Sequence, residues 1–177
     1  SPGQNSVGTV GQNSIGADIA GRRAVTPSAG AAADDLPDVN VWLALSVPEH
    51  VHHSAALAWW QQGAGPKCCF NRVTMLGLVR LLAQPRVMGA GALGASAALA
   101  VWQRWIALPE VALHPEPAGL DAVLASLVRA DLPPRLLTDA YLAAFAIRAG
   151  LRLVSFDADF ARFHGLPWLR LKADATA

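Results

Sequence analysis

The sequence predicts an α/β fold, a three-layer α/β/α sandwich in which helices cover both faces of a central parallel sheet. Three observations carry that reading. Short apolar runs of strand character alternate with longer stretches whose apolar residues return at helical spacing, the pattern of repeated strand–helix–strand units. One unit is especially clear: a helix through Ala149, a Gly150 suited to its C′ position, and the strand-like run LRLVSF at 151–156. At 177 residues, 53% hydrophobic and 15% charged, the chain is also long and apolar enough to bury one sizeable core.

The elements follow in order. LPDVNVWLAL at 36–45 reads as a first strand, buried on both faces because its polar residues sit only near its start. Pro48 and Glu49 open a helix to about Gln62, which Gly63 and Gly65 stop. KCCFNRV at 67–73 suits a second strand; Thr74 then caps a helix to about Ala83, and Pro85 ends it. Gly94 to Leu108 carries Leu99, Trp102 and Ile106 at helical spacing, so an amphipathic helix is expected. VALH at 111–114 is a short strand and 117–130 another helix. Pro133 and Pro134 precede the helix ending at Ala149, and after 151–156 a short helix at 158–164 and a last strand at 167–171 complete the fold.

Residues 1–35 differ in kind. They are rich in Gly, Ser, Ala, Asn and Gln, and they repeat GQNSVG at 3–8 as GQNSIG at 11–16 without amphipathic period, so they read as a flexible leader. The folded domain is then 36–171, with a tail at 172–177. A formal net charge of +1 excludes a globally basic nucleic-acid binder but leaves room for a local basic rim. Cys68 and Cys69 are adjacent, so in a strand their side chains take opposite faces and no disulfide is expected. A reducing cytoplasm is the simplest compartment. No membrane span is expected, because the longest weakly polar stretch, 89–101, is short and built largely of Gly and Ala.

The chemistry is suggested by four acids. Asp38 lies in the most apolar run of the chain, where an ionised carboxylate costs several kcal/mol unless paired. Asn40, two residues on, shares its face if the run is a strand. Asp139 lies near a helix start, Asp157 where a buried strand exits, and Asp159 just beyond. Parallel topology can gather such ends at one rim, where ligands bind in open α/β sheets. Two unit charges ~4 Å apart interact by about 4 kcal/mol at an effective dielectric near 20, so clustered carboxylates need protons or a cation. Hard oxygen ligands suit Mg²⁺ or Mn²⁺. Each acid also has a plain structural alternative: Asp139 as a helix-dipole partner, Asp157 as an N-cap, Asp159 as a solvated first-turn acid.

In this order and spacing, LPDVNVWLAL at 36–45, PEHVHHSAALAWW at 48–60, RVTMLGLVRLL at 72–82 and TDAYLAAFAIRAGLRLVSFDADF at 138–160 resemble the PIN-domain ribonuclease toxins of the VapC type. The resemblance covers about 36–171. It implies a PIN-like sandwich, an endoribonuclease dependent on Mg²⁺ or Mn²⁺, and the toxin half of a toxin–antitoxin pair: a homodimer blocked by an antitoxin on a separate chain. Residue by residue it implies Asp38 and Asp139 as metal ligands, with Asp157 completing the catalytic pocket. Asp159 and Asn40 become outer-shell partners. The family commonly has an acid where this chain has Met75, and a thioether is a poor Mg²⁺ ligand, so weaker metal affinity is implied; Thr74 offers a nearby oxygen.

Arg80 is read as meeting an RNA phosphate or pairing with an acid of the pocket; Arg72 and Arg135 are weaker RNA-contact candidates. His50, His52 and His53 do not share one helix face and are read as polar surface rather than a metal site. Trp59, Trp60, Trp102 and Trp105 read as core or dimer contacts. Ser155 lines the pocket but has no recognisable His partner for a nucleophilic role. Two rival functions stand beside the ribonuclease. One is a non-catalytic PIN-like module that binds RNA or antitoxin, motivated by Met75. The other is an Asp-based Mg²⁺ phosphatase, for which Asp38-Val39-Asn40-Val41-Trp42 lacks the expected DxD-Thr pattern.

Overall fold

The structure, a computed structural model, describes residues 33–129 and 131–172. The leader up to residue 32, with its internal duplication, and residues 173–177 of the tail lie outside the described residues. Five parallel strands form one sheet in the order β3-β2-β1-β4-β5: β1 (Asp35–Pro37), β2 (Cys68–Phe70), β3 (Val111–Leu113), β4 (Arg152–Ser155) and β5 (Trp168–Arg170). Among the described residues seven α-helices accompany them: α1 (Val39–Ser46), α2 (His53–Gln62), α3 (Arg72–Leu82), α4 (Pro85–Met88), α5 (Ala95–Ile106), α6 (Leu120–Leu127) and α7 (Leu137–Ala149). No helix among the described residues is long and apolar enough to cross a membrane.

The sheet divides two cores, which is the predicted sandwich. One side holds Trp42, Trp60, Phe70, Leu78, Trp105 and their neighbours from α1, α2, α3 and α5. The other holds Leu36, Phe145, Leu153, Phe160 and the small residues of α7, with Leu120 of α6. The adjacent cysteines of β2 show the alternation directly: Cys68 enters the first core and Cys69 the second. Trp42 stacks on Phe70, with centroids 3.9 Å apart, and meets Trp105 edge-on at 5.1 Å, so the tryptophans of this side are mostly core.

The largest departure from the sequence reading is the first element. The expected strand at 36–45 is a three-residue strand followed at once by helix α1, with Asp38 as its N-cap. Periodicity cannot separate a buried strand from a buried helix when nearly every residue is apolar; here α1 forms with Asp38 as its cap and packs against α2 and α3. The helix expected from Pro48 is a turn through His52 before α2 begins at His53. The second strand likewise ends at Phe70, because Asn71 caps α3 in a reciprocal box with Thr74. Thr74 is therefore the third residue of that helix rather than its cap. Helix α6 is shorter than 117–130, starting after Gly119, whose φ of 79° is left-handed. Gly150, at φ 69°, ends α7 as expected. The segment after Asp157 is a 3-10 turn, Ala158–Arg162.

The folded unit also takes in Asp34 and Asp35, assigned above to the leader. The Asp34 carbonyl accepts from the Arg152 N–H at 2.9 Å, and Asp35 is a fully buried residue of β1.

Candidate active site at the carboxyl ends of the strands

In a parallel sheet whose strand order reverses about β1, the natural crevice lies beyond the carboxyl ends, between β1 and β4. Asp38 leaves β1 there. Its N–H donates to the Val154 carbonyl at 2.8 Å, so the exit of β1 is stitched to the end of β4. Asp38 Oδ1 accepts from the Val39 N–H at 2.6 Å; Oδ2 accepts from Asn40 Nδ2 at 2.8 Å and from the Ser155 hydroxyl at 2.9 Å. These donors are neutral dipoles. Burial raises the carboxyl pKa by more than the Ser155 and Val39 donors lower it, and Asp139 and Asp157 add repulsion, so the Asp38 pKa is pushed up to about 6.

Asp139, in the first turn of α7, is also raised: burial contributes most, followed by the charges of Asp157 and Asp159, with Arg135 and Arg162 opposing. Asp157 stands at the exit of β4. Its N–H donates to Ser155 Oγ at 3.0 Å, and its Oδ1 caps the 3-10 turn by accepting from the Asp159 N–H at 2.8 Å. The fold thus brings Asp38, Asp139 and Asp157 within electrostatic range of one another. Among the described residues, however, no group of three or more His, Cys, Asp or Glu side chains is gathered into a metal-holding cluster.

Ser155 is the residue whose importance sequence reasoning understated. Fully buried, its hydroxyl donates to Asp38 and accepts from Asn40 Nδ2 at 3.0 Å and from the Asp157 N–H, tying both strand exits together. Its spacing two residues before Asp157 was the available signal. Asn40 reaches Asp38 as expected, though by a different route. The two share the first turn of a helix, not one face of a strand, and Asn40 Oδ1 also accepts from the Phe156 N–H at 3.4 Å.

The other candidates have other partners. The Thr74 hydroxyl is committed to its cap, accepting from the Asn71 N–H at 3.1 Å and donating to the Asn71 carbonyl at 3.2 Å. Met75 is buried in the first core. Asp159 is bound by two guanidiniums, Arg135 at 3.0 Å and Arg162 at 3.1 Å, which hold its pKa below the usual carboxylate range. Arg72 and Arg80 are exposed on α3, whereas the cations acting on Asp139 are Arg135 and Arg162. His52 stacks on Phe156 at 4.4 Å and His53 Nδ1 lies 2.7 Å from the Ala44 carbonyl, so these rings pack the turn before α2.

A five-stranded parallel sheet covered by helices on both faces, with acids at its carboxyl rim, defines a small α/β/α sandwich domain. The PIN-domain signature matches residues 36–166, and the chain belongs to the PIN-domain family, in its VapC-type branch. It is 38% identical over 144 residues to Ribonuclease VapC41 of Mycobacterium tuberculosis, an alignment covering 78% of this chain and 98% of that protein. It is 32% identical over 136 residues to Ribonuclease VapC33 of the same organism, covering 75% and 94%. Among solved structures, the M. tuberculosis toxin VapC20, a sarcin-ricin loop cleaving toxin, matches with a TM-score of 0.58 and 21% identity over 76% of this chain and 98% of that one. VapBC2 from Rickettsia felis, bound to a promoter DNA fragment, matches at 0.54 and 10%, covering 78% and 98%. At these identities the structural matches speak for the fold.

Proposed function

We propose that this chain is a Mg²⁺- or Mn²⁺-dependent endoribonuclease, the toxin component of a toxin–antitoxin pair, that hydrolyses RNA phosphodiester bonds. The observation that carries it is Asp38: a buried carboxylate at the crevice, held by neutral donors, with its pKa raised to about 6. A side chain kept in that state is suited to a cation from outside. The donor set is made of hard oxygens and carries net negative charge, which fits Mg²⁺ or Mn²⁺ better than a soft metal. Asp38 and Asp139 would hold the ion and Asp157 would complete the pocket. When bound, such an ion polarises the scissile phosphate and lowers the pKa of an attacking water.

The chain's own residues do the rest. Ser155 and Asn40 fix the Asp38 carboxylate from its Oδ2 side, so that it meets a ligand without reorganising. The curated relatives named as ribonucleases, at 32–38% identity across nearly their whole length, support RNA as substrate. Membership of the VapC-type branch supports an antitoxin partner on a separate chain; a homodimer is the expected assembly.

A second reading, a non-catalytic module binding RNA or antitoxin, is favoured by one observation: Met75 is packed into the core and brings no oxygen to the crevice. Incubating the protein with structured RNA and Mn²⁺ separates the two. Cleavage that disappears in both Asp38→Asn and Asp139→Asn supports the enzyme. RNA binding without cleavage by the parent chain supports the module, and cutting unaffected by either substitution overturns the site.

A further inference from the structure

We propose that Arg135 and Arg162, pinned together by Asp159, form a clamp for an RNA phosphate flanking the scissile one. This rests on the endoribonuclease reading above. The three residues come from two places, the 3-10 turn before α7 and the 3-10 turn after β4. They converge on a single carboxylate: Arg135 Nη1 donates to Asp159 Oδ2, Arg162 Nη2 donates to Asp159 Oδ1, and Arg162 Nε donates to the Asp159 carbonyl at 3.2 Å.

As a stability device the arrangement is poor. Exposed ion pairs contribute little, and here the Arg135 side chain is 68% and the Arg162 side chain 40% accessible. As a recognition device it is sound. Two cations on one anion leave a net positive charge, and a guanidinium has five N–H donors, of which these contacts use one on Arg135 and two on Arg162. The remaining donors present the planar fork that suits phosphate. Asp159 fixes the long side chains in advance, which reduces the entropy lost on binding.

The location ties the clamp to the crevice. Asp159 is two residues from Asp157, whose carboxylate caps the turn through the Asp159 N–H. Both arginines also act on the charge of Asp139. Away from the reacting centre, the phosphates of an RNA strand crossing the acidic rim are repelled by its carboxylates. Two cations at that edge supply the missing attraction while leaving the acids free for the reacting centre.

The experiment uses the full chain carrying Asp38→Asn, which holds RNA uncut, and fluorescence anisotropy with a labelled single-stranded RNA at constant Mg²⁺ over a KCl series. Adding Arg135→Gln and Arg162→Gln is expected to weaken binding several-fold and to flatten the log K against log salt slope by about 0.7, the contribution of one single-strand phosphate. Arg135→Lys with Arg162→Lys, which keeps the charge, should restore most of the slope. An unchanged slope in the Gln variant, with its thermal melt intact, overturns the clamp alone. A parent chain that binds no RNA overturns both the clamp and the ribonuclease reading.

Discussion

Asp35 and Asp38 sit at opposite ends of the same short run of chain, both buried, and they have opposite fates. Asp35, at the amino end of β1, is fully enclosed and receives a two-pronged guanidinium: Arg152 Nε to Oδ1 at 2.7 Å and Arg152 Nη2 to Oδ2 at 3.0 Å. The Gly65 N–H adds a third bond at 2.6 Å. Register makes this possible, since Asp35 pairs directly with Arg152 across β1 and β4. Asp38, at the carboxyl end, has hydroxyl, amide and backbone donors but, among the described residues, no cation hydrogen-bonded to it, and its pKa is pushed up to about 6. Identical side chains at the two ends of β1 thus divide into one neutralised internally and one left for an external charge. That division separates the structural end of the sheet from the chemical end.

Removing the internal cation tests the structural half with the largest effect. Arg152→Ala strands the Asp35 charge in the core and should cost about 3–5 kcal/mol, towards the lower figure because Arg152 is itself partly accessible. Urea unfolding measures it. A loss below 1 kcal/mol would mean that Asp35 is no more anchored than Asp38.

The chemical half predicts the reverse sign. The Asp38 carboxyl binds its proton more tightly folded, at about 6, than unfolded, at 3.8. Its contribution to stability is therefore full below pH 3.8 and lost as pH rises through 6. In metal-free buffer at pH 7.5, Asp38→Asn should stabilise the protein by up to about 3 kcal/mol, the shift converted at 1.36 kcal/mol per unit, less the hydrogen bond that Asn40 loses. The advantage should shrink as the melt is repeated towards pH 4.5. Mn²⁺ should raise the melting temperature of the parent and not of Asp38→Asn, and equal shifts in both chains would place the ion elsewhere.

The smallest effect sharpens the boundary between the two regions. Ser155→Ala removes one donor from Asp38 and the acceptor of both Asn40 Nδ2 and the Asp157 N–H, at a cost of about 1 kcal/mol. Because that hydroxyl lowers the Asp38 pKa, the acid limb of any pH–rate profile should move upward in the variant. A fall in stability with an unmoved limb would make Ser155 a packing residue.

Much of this was legible in the amino-acid order. Alternating strand and helix patterns required a parallel sheet covered on both faces, the adjacent cysteines had to part, and Asp139 and Asp157 had to stand at element ends, because these follow from local period and turn chemistry. What Asp38 does to the backbone was not legible: an almost wholly apolar run fits a strand and a buried helix equally well, and only packing against α2 and α3 chose the helix. Nor were the partners of the acids. Asp35 meets Arg152 across 117 positions and Asp159 meets Arg135 across 24. Local sequence sets which residues are charged and where each element begins; which charges are neutralised depends on strand order and register, and those are decided when the whole sheet assembles.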